Sequence, residues 1–160
     1  MPEFLDDEYF MKQALAEAAQ ALRKDEIPVG AVIVCQKQII ARAHNLTETL
    51  NDVTAHAEMQ AITSATTTLG GKYLTDCTIY VTLEPCPMCA GALAWAQIAR
   101  IVYAASDPKR GYNAIAKNIP HPKTQVSCGI LAKEAALMMK IFFENKRIRA
   151  QSINRLNKPS

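Results

Sequence analysis

The segment VTLEPCPMCAGALAWA, residues 81–96, constrains the fold of this chain more than any other. It closes a β-branched and aromatic run, CTIYVTL at 77–83, that reads as a buried strand, and after Glu84-Pro85 it opens a helix from about Pro87 to Ala96. Proline suits the first turn of a helix because the N–H it lacks would have no partner there. A strand that passes directly into a helix places the chain among the α/β folds. Two cysteines, Cys86 and Cys89, sit on that handover.

The flanking sequence continues the alternation. Residues 6–24 read as an amphipathic helix with Met11, Leu15, Ala18 and Leu22 at helical spacing behind an acidic first turn. Two β-rich runs, 30–35 and 39–43, joined by Gln36-Lys37-Gln38, suggest a hairpin entered through Pro28 and Gly30. A polar loop at 46–54 precedes a helix at 55–69 that stops at Gly70-Gly71. RIVYAA at 100–105 is a further strand, 106–124 a loop punctuated by Pro and Gly, QVSCGI at 125–130 a strand, and 131 to about 149 a helix. The expected architecture is α/β, a mixed sheet covered by helices on both faces.

With 160 residues, one domain of 1–160 is expected, and no apolar run approaches the ~18 residues of a membrane span. The N-terminus lacks the basic and apolar regions of a secretory signal, which implies a cytoplasmic protein that does not engage membranes. An odd number of cysteines, Cys35, Cys77, Cys86, Cys89 and Cys128, argues for metal or catalytic use over a disulfide framework. The net charge is +3, yet Lys140, Lys146, Arg147, Arg149, Arg155 and Lys158 stand against Glu144 alone near the C-terminus. Such a basic tail, from about 146, is either a solvated helix end or a footprint for phosphates.

The cysteine pair by itself could be a redox motif, half of a structural zinc knuckle or part of a catalytic metal site. Cys35, Cys77 and Cys128 offer no second close pair to complete a four-cysteine structural site. Three protein ligands with an open fourth position is the catalytic pattern, and His56, at the start of the preceding helix, is the third ligand candidate. His44 and His121 receive no metal assignment. Glu58, two residues after His56, would lie beside the metal without binding it and carry protons to and from a water whose pKa zinc lowers toward ~7.

HxE followed by PCxxC resembles the signature of zinc-dependent nucleobase deaminases. From about residue 8 to 149 the chain resembles the bacterial tRNA-specific adenosine deaminases (TadA-type) of the cytidine deaminase-like superfamily. PVGAVIV at 28–34, Asn45, DVTAHAEMQAI at 52–62, IYVTLEPCPMCAGA at 79–92 and DPKRG at 107–111 carry the likeness. The resemblance implies a three-layer α/β/α sandwich with a five-stranded mixed sheet, usually a homodimer. It implies one Zn2+ per chain on His56, Cys86 and Cys89, and attack at C6 of adenine with Glu58 serving first as base and then as acid.

The same likeness makes the substrate the wobble adenosine of a tRNA anticodon stem-loop. Asn45 would contact the flipped base, Val29, Ala57 and Pro85 would border its pocket, and Asp107 would lie near the sugar. Phe143 and Arg147 would face the RNA. Of the pair Phe142 and Phe143 one is expected in the core and one near substrate, with Leu137, Met138 and Ile141 packed inside. Residues 111–125 are shorter than in the tRNA enzymes, and the alternative is a deaminase of a free base or nucleoside such as guanine, whose family relatives often carry a proline between the cysteines.

Overall fold

A computed structural model of the protein describes residues 5–159. The elements are α1 (Asp7–Arg23), β1 (Gly30–Cys35), β2 (Gln38–His44), α2 (Ala57–Leu69), β3 (Cys77–Leu83), α3 (Pro87–Trp95), β4 (Arg100–Ala105), α4 (Tyr112–Ile115), β5 (Gln125–Cys128) and α5 (Ala132–Leu156). The strands lie in the order β2-β1-β3-β4-β5 in one five-stranded sheet. Strand β1 runs antiparallel to β2 and β3, whereas β3, β4 and β5 are mutually parallel. This is the mixed sheet the sequence implies.

Strand periodicity divides the core into two layers. Ala31, Ile33, Ile79, Val81, Ile101 and Tyr103 pack with Ala57, Ala61 and Ala65 of α2 and with Ala90 and Leu93 of α3. Their neighbours in sequence, Val32, Val34, Tyr80 and Val102, point to the other face and meet Phe10, Met11 and Ala14 of α1 and Ala135 of α5. Each buried Val, Ile or Leu contributes about 1.5–3 kcal/mol. Burial on both faces explains why β1, β3 and β4 are continuous apolar runs.

Helix α1 is capped by Asp6, whose carboxylate accepts the N–H of Tyr9 at 2.8 Å. Its buried stripe keeps Met11 and Ala18 and is completed by Phe10, Ala14, Glu17 and Ala21, whereas Leu15 and Leu22 are only half-buried. The small residues win because α1 lies directly on the start of β1. A Cβ at Gly30 would run into the backbone of Ala14 and Ala18.

Three further departures have local causes. The 106–124 loop contains one helical turn, α4, held by the Tyr112 N–H on the Pro85 carbonyl at 2.9 Å. Strand β5 stops at Cys128, before Gly129 with φ 103° and Leu131 with φ 56°. Helix α5 continues to Leu156 and buries Ala135 and Phe142. Leu137 and Ile141 are 56% and 39% exposed, contrary to the core placement expected of them. At 100° per residue they fall on the side of α5 away from Ala135 and Phe142, where Ile148 also lies.

Candidate metal centre and active-site cavity

The sheet topology gathers the chemistry-bearing residues at one end. Val29 precedes β1 and Asn45 follows β2, and they meet because Gly30 pairs with His44 and the Asn45 N–H donates to the Val29 carbonyl at 3.0 Å. The same end receives the exits of β3, into Glu84-Pro85-Cys86, and of β4, into Ser106-Asp107. Helices α2 and α3 start there and pack together. His56 and Cys86 occupy the N-cap positions of these two helices. Their positive dipole ends favour thiolate and other anionic groups between them.

His56 Nδ1 lies 3.6 Å from Cys86 Sγ and 3.5 Å from Cys89 Sγ. These residues are the one group of three among the described residues whose donor atoms, all within 4.8 Å of one another, suit a metal ion. A tetrahedral zinc with Zn–S of about 2.3 Å and Zn–N of about 2.0 Å requires an S···N edge of about 3.5 Å, so the donors already have the spacing of three corners of a zinc tetrahedron. The His56 ring also hydrogen-bonds to the backbone of Val53, which orients it and leaves Nδ1 for the sulfurs.

Protonation within the cluster is mutual. Hydrogen bonds from Cys89 and from His56 draw the Cys86 thiol down to about 4. The bond to Cys86, together with burial and the nearby Glu58, pushes Cys89 up. The bond to Cys86 raises His56. Glu58, buried in the first turn of α2, is pushed up to about 7, chiefly by burial. A carboxyl group that changes charge near neutral pH beside a metal site is equipped to exchange protons there.

A cavity of about 740 Å3 opens over this cluster. It is lined by Val29, Asn45, His56, Ala57, Glu58, Cys86, Asp107, Phe143 and Arg147, nine of the eleven residues singled out from the sequence. Cys89 is fully buried beneath it. Pro85 departs from expectation: it is buried but does not line the cavity, and its carbonyl holds α4. Phe142 is in the core and Phe143 at the cavity, with ring centroids 5.2 Å apart. Arg149 is not at the cavity but pairs with Asp25 at 2.7 Å. Asp107 also does turn work, its Oδ1 accepting the N–H groups of Lys109 and Arg110 at 3.1 and 3.0 Å.

Sequence reasoning overlooked several residues. Glu84, Lys109, Arg110 and Met139 line the cavity as well. Glu26, fully buried, accepts the N–H groups of Glu48 and Thr49 at 2.7 and 3.2 Å and so fixes the loop that leads to His56. His44 receives a hydrogen bond from Lys24 on Nε2 at 2.9 Å and donates from Nδ1 to Glu17 at 2.8 Å. Both of its ring nitrogens are thus taken up by hydrogen bonds. No short pattern marks Glu26 or Glu84 in the sequence; their burial, rare for an unpaired acid, shows only in the structure.

The zinc-binding region of cytidine and deoxycytidylate deaminases matches residues 5–105 of the chain. The tRNA-specific adenosine deaminase of Bacillus subtilis (strain 168) is 44% identical, over 88% of this chain and 91% of that protein. A solved tRNA:A34 deaminase, studied for A-to-I editing at the wobble position, aligns with a TM-score of 0.75 at 43% identity, covering 81% of this chain and 98% of that one. The guanine deaminase of Bacillus subtilis is 45% identical with a TM-score of 0.61, over 63% of this chain and 65% of that one. The donor spacing, the buried glutamate and these likenesses agree, and the chain belongs to the zinc-dependent deaminase family that contains the tRNA-specific adenosine deaminases.

Proposed function

We propose that this protein is a zinc-dependent hydrolase that converts adenosine to inosine at the wobble position of a tRNA anticodon. The observation that carries the reading is the single cavity joining the His56, Cys86 and Cys89 cluster and Glu58 to Asn45, Asp107, Phe143 and the cations Lys109, Arg110 and Arg147. Its volume is within the range of about 300–1,000 Å3 typical of small-molecule sites. A cationic, aromatic mouth suits a base splayed from a single-stranded RNA loop.

His56, Cys86 and Cys89 would hold the zinc, which when bound would supply the nucleophile by lowering the pKa of water toward ~7. Val29 and Ala57 wall the base, and the Asn45 side chain, buried and aimed into the cavity, hydrogen-bonds to its edge. Glu58 takes one proton of the attacking water to the purine ring nitrogen and then carries the second, from the oxygen now on C6, to the departing amine. The oxygen of water ends on C6 and nitrogen leaves as ammonia. Asp107 lies toward the sugar, Phe143 stacks at the mouth, and Arg147 neutralises phosphate.

The protein acts as a homodimer of one deaminase domain in the cytoplasm. Support for the dimer comes from the outer side of α3, where Met88 and Trp95, seven residues apart, flank Gly91 and Ala92, and Trp95 is 85% exposed. The tRNA substrate and five free cysteines support the compartment. Among the described residues no helix is long and apolar enough to cross a membrane.

Pro87 between the cysteines and the likeness to a guanine deaminase favour a second reading, deamination of a free base. Ammonia release from zinc-loaded protein given tRNA with a wobble adenosine, adenosine, cytidine or guanine separates the two. The tRNA reading expects release from tRNA that weakens steeply with salt. Release from guanine with tRNA untouched would overturn it.

A further inference from the structure

We propose that Glu84 is a positioning residue, a buried peg around which residues 107–113 are wound so that Asp107 stands at the cavity mouth. The inference rests on the tRNA reading and deepens it. Glu84 is the residue after β3 and is 5% exposed. One carboxylate oxygen accepts the N–H of Asn113 at 3.1 Å and the other that of Asp107 at 3.4 Å. Both ends of the loop therefore hang on one side chain. Among the described residues no ion pair involves Glu84, so this buried carboxylate is devoted to backbone donors.

The loop is shaped to close on that peg. A Cβ at Gly111 would collide with the Glu84 carboxylate and with the carbonyl of Asp107, so any larger residue here has to displace the peg. The Gly111 N–H returns to the Asp107 carbonyl at 2.9 Å, and the Tyr112 N–H is taken by Pro85 at 2.9 Å. The Glu84 N–H donates to the carbonyl of Ala105 at 2.8 Å, which ties the peg to the strand that delivers Asp107. The mouth of the cavity is thus registered to the segment that carries Cys86, and the distance between metal cluster and sugar-facing carboxylate is set by Glu84.

The test uses the full-length, zinc-loaded protein and an anticodon stem-loop RNA with a wobble adenosine. If the wild type does not deaminate that RNA, the tRNA reading fails, whatever Glu84 does. If it does, Glu84→Gln, which replaces one acceptor oxygen with a donor, raises KM by about tenfold, leaves kcat within about threefold and keeps one zinc per chain. Gly111→Ala, which pushes on the peg from the loop side, does the same. Because Glu84 acts through Asp107, the double variant Glu84→Gln/Asp107→Ala is no worse than Asp107→Ala alone. An unchanged KM, a loss confined to kcat, or effects that multiply in the double variant would overturn the proposal. Loss of the folded state or of zinc in both Glu84→Gln and Gly111→Ala would also overturn it, since Glu84 would then support the core and not the loop.

Discussion

The side-chain amide of Gln60 donates to the backbone carbonyl of His44 at 2.8 Å. Its second proton reaches the carbonyl of Ala55 at 3.1 Å, so one residue on α2 fastens the end of β2, next to Asn45, to the residue before His56. Gln60→Ala leaves two partly buried carbonyls without this donor, at a cost of about 1–3 kcal/mol. The expected result is a lower melting temperature together with a several-fold higher KM, read by thermal unfolding and by steady-state kinetics on the stem-loop.

Glu58→Ala removes the proposed proton carrier but none of the three metal donors. Zinc content and RNA affinity are expected to stay at wild-type levels while turnover falls by about 10²–10⁴-fold, the usual worth of a positioned acid–base group. Equal turnover in the two proteins would disprove the assigned role.

The five cysteines divide cleanly into two sets. Cys86→Ala and His56→Ala are expected to abolish stoichiometric zinc, because the remaining two donors cannot hold a catalytic site. Cys35→Ser, Cys77→Ser and Cys128→Ser each retain one zinc per chain, measured by elemental analysis of the purified proteins.

Asp7 ties α1 to the sheet. It accepts both guanidinium nitrogens of Arg100 at 2.6 Å and the hydroxyl of Tyr80 at 2.7 Å. The bond from Arg100 holds its carboxyl below the ordinary 3.8 in the folded state, so its contribution is complete above that value and is lost as pH falls through the folded pKa. Asp7→Asn is expected to cost about 1–2 kcal/mol at pH 7, or about 2–8 °C in melting temperature, with the gap closing below about pH 4. Melting curves from pH 3 to 8 check this. A gap that widens in acid would refute it.

Trp95→Glu places a charge on the outward side of α3. The wild type is expected to sediment as a dimer and the variant as a monomer that still binds one zinc. A wild type that sediments as a monomer would remove the dimer from the functional reading.

The metal site could be read from sequence because its geometry is local. His56 and Glu58 share the start of one helix, and Cys86 and Cys89 the first turn of another, so two short patterns report most of the cluster. Glu26, Gln60 and Glu84 left no such trace, because each acts on backbone groups 5 to 29 residues away through loops that have no period. Helix α5 misled for a different reason. Leu137, Met138 and Ile141 suggest a core stripe, yet Leu137 and Ile141 are exposed, Met138 is half-buried, and Ala135 and Phe142 are the buried pair. On α1, Met11 and Ala18 are fully buried but Leu15 and Leu22 only in part, since close approach to the sheet selects alanine over leucine.

The contact between Gly30 and α1 has a bearing on how the substrate range of such an enzyme can change. Only a hydrogen atom fits between β1 and the backbone of Ala14 and Ala18, so the strand start, and Val29 just before it, has no room to retreat. That wall of the cavity is therefore incompressible. Space for a larger base, or for a differently shaped one, has to be found elsewhere in the cavity lining, at Met139 and Phe143 of α5. Selection for new substrates is channelled to the lip of the site, and the close contact of helix and sheet at Gly30 acts as its fixed reference plane.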